Sequence, residues 1–111
     1  PGKRITILPA DRFLLSCNIF FDHPLVGHQT LDMEVTPSRY ASEIAPARTF
    51  GFAWELDQMR NMGLIRGATL ENAVCFDRGS VMNPDGLRFA DECCRHKVLD
   101  LIGDLALIGR P

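Results

Sequence analysis

The sequence predicts an α+β fold, a largely antiparallel sheet backed by helices in a two-layer sandwich. Three observations carry that expectation. Strand-like and helix-like patterns are interspersed without strict β-α alternation, which favours helices gathered on one face of an antiparallel sheet. The 111 residues are 46% hydrophobic, enough to bury the core of one compact domain over residues 1–111 and no more. A long, strongly apolar helical stretch runs from Asp85 to Leu105, reading DGLRFADECCRHKVLDLIGDL.

Lys3 to Leu8 and Phe13 to Phe21 are rich in Ile, Leu and Phe and flank the turn residues Pro9-Ala10-Asp11, so they read as an antiparallel pair. Beyond the turn at His23-Pro24, Gln29 to Val35 alternates Thr30, Asp32 and Glu34 with Leu31, Met33 and Val35, the pattern of a half-buried strand. Thr36-Pro37-Ser38 offers a helix start, and Pro46 stops that helix after about Ile44. Arg48 to Phe52 (RTFGF) places Gly between two phenylalanines, which suits a short strand ending in a bend. Trp54 to Met62 has Leu56, Met59 and Met62 at helical spacing, with Gly63 as its C-terminal cap. Gly67 marks a turn and Asn72 to Phe76 a strand. Asp77-Arg78-Gly79-Ser80 is a hairpin-like link to Val81-Met82, and Asn83-Pro84-Asp85-Gly86 turns the chain into the last helix.

A formal net charge of −2 and a pI near 5.9, with basic residues scattered, argue against a nucleic-acid surface, which needs a basic face for phosphates. No apolar run approaches the roughly 20 residues of a membrane span. The opening residues do not have the charged-then-apolar order of a signal peptide. Cys17, Cys75, Cys93 and Cys94 show no C-x-x-C pair and no disulfide or zinc-ribbon spacing, so reduced thiols, mostly buried, and a cytoplasmic location are expected.

In the long helix His96 and Asp100 are four residues apart and share a face with Lys97 and Asp104. Cys94, Val98, Leu101, Ile102 and Leu105 occupy the other side. An ionisable stripe on an apolar helix must be solvated, paired or bound to a metal. Two readings fit the spacing: a His-Asp hydrogen bond at the helix surface, or two ligands of a transition metal, for which imidazole and carboxylate suit zinc. Catalytic zinc takes three protein ligands, so a third donor must come from elsewhere. His23 and His28, in the Pro- and Gly-containing stretch FDHPLVGHQ, are expected to be solvent-exposed loop histidines.

RTFGF at Arg48 to Phe52 and GLRFADECCRHKVLDLIGDL at Gly86 to Leu105 resemble the zinc-dependent UDP-3-O-acyl-N-acetylglucosamine deacetylases of lipid A biosynthesis, a route to Gram-negative lipopolysaccharide. FDHPLVGHQ, IAPARTFGF and GLIRGATLENAV occur in the same order in that family, so the resemblance covers essentially the whole chain. It implies most of the second of two similar domains, truncated at both ends relative to the full enzyme. The implied fold is like that of a ribosomal protein domain.

By the same resemblance His96 and Asp100 are two of three Zn2+ ligands. Thr49 stabilises the oxyanion, Lys97 stands at the active-site rim, and Asp104 orients a histidine that lies beyond the present C-terminus. The third ligand, a histidine, and the glutamate general base belong to the first domain. Gly51 to Val74 corresponds to a unit forming a hydrophobic passage for the substrate's acyl chain, with Phe50, Leu56 and Val74 as its candidate lining. Gly67-Ala68 stands where the family commonly has two glycines, and the extra methyl is expected to reshape the passage. The substrate is implied to be a nucleotide-sugar lipid precursor, and the partner the missing first domain. The chain alone is expected to be inactive, and its rival reading is an isolated non-catalytic domain.

Overall fold

Alternating apolar and polar side chains on either side of a tight turn at residues 22–26 fold the first half of the chain into a hairpin. The computed structural model describes residues 4–55, 58 and 70–107. β1 (Leu14–Phe21) pairs antiparallel with β2 (Gly27–Glu34), in a register that opposes Leu15 to Met33 and Phe21 to Gly27. One face carries Leu15, Cys17, Leu31 and Met33 into the core. The other is a polar ladder in which Ser16 donates to Asp32 and Thr30 to Asn18. Gly27 has φ +56°, a conformation glycine adopts without a Cβ clash.

The first expected pair is corrected. β1 takes its partner from β2, and residues 4–10 run without regular structure, with Ile5, Ile7 and Leu8 largely exposed. Both connections are short, so loop closure does not choose between them; the eight-residue register with β2 gives β1 a complete partner and buries Leu15, Cys17, Leu31 and Met33 on one face. Lys3 lies outside the described residues.

The Thr36 hydroxyl accepts from the Arg39 N–H and Pro37 opens the first turn of α1 (Pro37–Arg39), a capped start of the expected kind. A wider π-turn over Tyr40–Ile44 follows and buries Ile44. β3 (Thr49–Phe52) then pairs with β4 (Ala73–Phe76) in parallel, Phe50 opposite Val74 and Phe52 opposite Phe76. The described residues therefore hold an α+β arrangement with one antiparallel and one parallel two-stranded sheet. Trp54 and Glu55 are helical as expected. Leu56, Met59, Met62, Gly63 and Gly67-Ala68 lie outside the described residues.

After β4, Asp77 N–H bonds Ser80 O and Phe76 bridges Val81. The Asn83 side chain fixes the following turn from inside. Its Oδ1 accepts from Cys75 N and its Nδ2 donates to Leu70 O and Ala73 O, so a buried amide is fully satisfied. Gly86, at φ +71°, ends that turn.

The turn at Asn83–Gly86 is followed by α2 (Glu92–Ala106), which starts later than the end of that turn, where the sequence led a helix to be expected. Residues 85–91 are spent on turns, because the Glu92 carboxylate collects the Arg88 N–H and leaves that segment non-helical. The Asp91 side chain makes no capping bond, and Gln29 Oε1 of β2 accepts from Cys94 N in its place. α2 closes two clusters. Cys93 meets Val26, Phe52, Val74 and Phe76, while Val98 meets Leu15, Met33 and Ile44.

Candidate functional site

Glu92, His96, Asp100 and Asp104 recur every fourth residue along α2, so they form one stripe beside the buried Cys94 and Val98. Exposure rises along it: Glu92 is buried, the His96 side chain is 18% exposed and that of Asp100 50%. His96 Nδ1 is 3.1 Å from the Ala47 carbonyl oxygen, which can only accept. The Nδ1–H therefore donates, and in the neutral ring the Nε2 lone pair points outward. Nε2 lies 3.4 Å from Asp100 Oδ1, too long for a strong hydrogen bond.

A lone pair facing a carboxylate oxygen needs a positive charge, either a second ring proton or a shared cation. Tetrahedral zinc, with N and O ligands at about 2.0–2.1 Å, holds neighbouring ligand atoms about 3.3–3.4 Å apart. The two donors fit such an ion in type and spacing. Among the described residues no group of three or more His, Cys, Asp or Glu side chains is placed to hold a metal, so any further ligand comes from outside them.

Thr49 opens β3 two residues after Ala47 and is exposed. Phe50 follows it, and Lys97 Nζ sits 5.7 Å from the Phe50 ring centroid, a cation–π contact. The fold thus gathers the Ala47–Phe50 segment around His96 and Lys97. Phe50 meets the Phe21 ring edge-on at 5.2 Å, and its neighbour Val74 is fully buried in the core. Asp104 is exposed one turn beyond Asp100.

His23 departs from expectation. It is buried: Nδ1 accepts from Leu25 N, Nε2 donates to the Asp77 carbonyl, and the ring stacks within the Phe52–Trp54–Phe76 aromatic group. It pins the hairpin turn to the loop after β4, a long-range bond no local pattern reveals. His28 is exposed, as expected, but stands in β2 opposite Phe20 and not in a loop.

Sequence reasoning also missed a buried ion pair. Arg48 Nε and Nη2 donate to Glu92 Oε2 and Oε1 at 2.8 and 3.1 Å. Burial pushes the Glu92 carboxyl upward, but the Arg48 guanidinium and the Arg48 and Arg88 backbone N–H groups outweigh it and hold it below its ordinary value. The helical spacing puts Glu92 one turn before His96 on the same stripe, but nothing in the local pattern names Arg48, 44 residues away, as its partner.

The hydrogen bond with Cys94 lowers the Cys17 thiol to about 7, against partial burial and with help from Lys97, and raises the Cys94 thiol. Burial pushes Cys93 up to about 12. Alkylation with iodoacetamide near neutral pH is therefore expected to label Cys17 well ahead of Cys93 and Cys94, and to slow as pH falls below about 7. Peptide mass spectrometry over time checks the order.

Comparison with known proteins adds an independent finding. Residues 1–111 match the family model described as LpxC, UDP-3-O-acyl N-acetylglycosamine deacetylase. The chain is 66% identical over 110 residues to the UDP-3-O-acyl-N-acetylglucosamine deacetylase of Solibacter usitatus (strain Ellin6076), covering 99% of this chain and 37% of that protein. It is 49% identical over 109 residues to the enzyme of that name from Myxococcus xanthus (strain DK1622), covering 98% of this chain and 35% of the relative. For the Oleidesulfovibrio alaskensis relative of the same name the values are 50% identity over 110 residues, 99% and 36%. The chain thus spans 35–37% of the length of these three relatives.

Proposed function

Because this chain belongs to the UDP-3-O-acyl-N-acetylglucosamine deacetylase family, we propose that it supplies part of the active site of a zinc-dependent amidohydrolase. The reaction removes the acetyl group from UDP-3-O-acyl-N-acetylglucosamine in lipid A biosynthesis. The observation that carries the reading is the outward Nε2 of His96 set 3.4 Å from Asp100 Oδ1, with Nδ1 tied to Ala47 O. These two side chains would hold the ion. When bound, zinc lowers the pKa of a water molecule and polarises a carbonyl oxygen.

The Thr49 hydroxyl donates to the acetamide oxygen as negative charge builds there. The Lys97 ammonium, held over Phe50, adds positive potential for the substrate's phosphates or that developing charge. Phe50 lines the passage for the acyl chain, backed by the buried Val74 opposite it, and Asp104 orients a histidine from outside this chain. The remaining zinc ligand and the general base come from the other domain of the same enzyme, this segment forming most of the second domain. The thiols of Cys17, Cys75, Cys93 and Cys94 suit a reducing, cytoplasmic compartment. Among the described residues no helix is long and apolar enough to cross a membrane.

The test is acetate release from UDP-3-O-acyl-N-acetylglucosamine by the full-length protein containing this segment, with metal content measured on the same preparation. Turnover that is lost on chelation and restored by zinc is expected. A well-folded full-length protein with no turnover, or one indifferent to chelation, would overturn the reading. On this reading the segment by itself supplies two zinc ligands where catalytic zinc takes three, and it is expected to be inactive without the other domain.

A further inference from the structure

We infer that Glu92 is a positioning residue for the site, acting through the single peptide unit that joins Ala47 to Arg48. The inference rests on the reading of His96 and Thr49 given above. The Arg48 N–H donates to Glu92 Oε2 at 2.9 Å, and the Ala47 carbonyl of the same peptide accepts from His96 Nδ1 at 3.1 Å. A peptide unit is planar and rigid, so its two ends report on each other. It spans one turn of α2, with the buried carboxylate at one end and the imidazole at the other.

The carboxylate is fully committed. Oε2 accepts from Arg48 N and Nε, while Oε1 accepts from Arg48 Nη2 and Arg88 N. Arg48 is fixed further by Nη2 donating to Gly86 O, and Arg88 by Nη1 donating to Pro46 O. The stretch 46–48 just before β3 is therefore clamped to the start of α2 from both flanks. Two consequences follow for the site. The ring plane and tautomer of His96 are fixed with Nε2 outward, the arrangement a metal ligand requires. Thr49, next in the chain after Arg48, is fixed relative to that ring. Glu92 touches neither substrate nor metal in this scheme.

Glu92→Gln is the informative change, because an amide of the same shape has one oxygen for four donors and turns an NH2 toward N–H groups that need an acceptor. Arg48→Lys is the companion variant, which keeps the charge and removes the fork. Both are made in the full-length protein and followed by zinc affinity, kcat, KM, thermal midpoint and the 15N spectrum of the His96 imidazole. The expected result is zinc affinity weakened about 10–100-fold, kcat reduced with KM little changed and, in metal-free protein, where no ion holds Nε2, a His96 ring that passes from one tautomer to a mixture. A lowered thermal midpoint with zinc affinity, kcat and the imidazole spectrum all unchanged would make the clamp merely structural and overturn the inference. If the wild-type protein holds no zinc, the metal reading fails separately. The imidazole spectrum then decides: a shift to mixed tautomers supports the clamp, and an unchanged spectrum refutes it. Should Glu92→Gln fail to fold, Arg48→Lys is judged by the same readouts.

Discussion

Replacing His96 with alanine is expected to abolish stoichiometric zinc binding in the full-length enzyme and to reduce turnover to background. The size follows from comparison. Losing a group that merely orients a ligand costs about 10–100-fold in metal affinity or activity, and His96→Ala removes a ligand itself while leaving the Ala47 carbonyl without its donor. Asp100→Ala removes the other donor of the pair and is expected to act in the same direction. Asp100 is half exposed and its 3.4 Å contact with His96 Nε2 is too long for a strong hydrogen bond, so its effect on stability should be small. Metal analysis of the purified variants, beside their unfolding midpoints, separates the two cases. Wild-type zinc content in His96→Ala would sink the assignment of the helix stripe as a metal site.

Glu92→Ala is expected to lower the unfolding free energy by about 3–5 kcal/mol, because breaking a buried pair leaves an uncompensated charge behind. Here the orphaned group is the Arg48 guanidinium, whose side chain is only 10% exposed, together with the Arg48 and Arg88 N–H groups. The pH dependence has a definite sign. Burial raises the Glu92 carboxyl, but its bonds from Arg48 and Arg88 bring the net folded value below the ordinary one. The stabilisation is then present above the ordinary carboxylate pKa and lost as pH falls through the folded value. Urea midpoints across the acid range should decline for the wild-type protein and flatten for Glu92→Ala. Equal slopes for the two would show that the pair does not control acid stability.

Local pattern along the chain makes much of this molecule legible from its sequence. Alternation in Gln29 to Val35 specified the second strand of the hairpin, because strand periodicity follows from which face is buried. Thr36-Pro37 specified a capped helix start, and the fourfold spacing of His96 and Asp100 placed them on one face of α2, since helical geometry alone sets that relation. What the sequence could not determine were partnerships between distant segments. Ile5 to Leu8 have strand composition and lie as near in the chain, yet β1 pairs with β2, where the register brings Leu15, Cys17, Leu31 and Met33 into one core. His23, written in a turn, is drawn inside by the Asp77 carbonyl 54 residues away. Arg48 and Glu92 are 44 residues apart, each unremarkable alone, and only their shared burial makes them a clamp. Periodicity is a property of neighbouring residues and can be read along the chain. The environment of a buried polar group is set by whichever distant donor or acceptor the fold supplies, and that was decided only when the chain closed on itself.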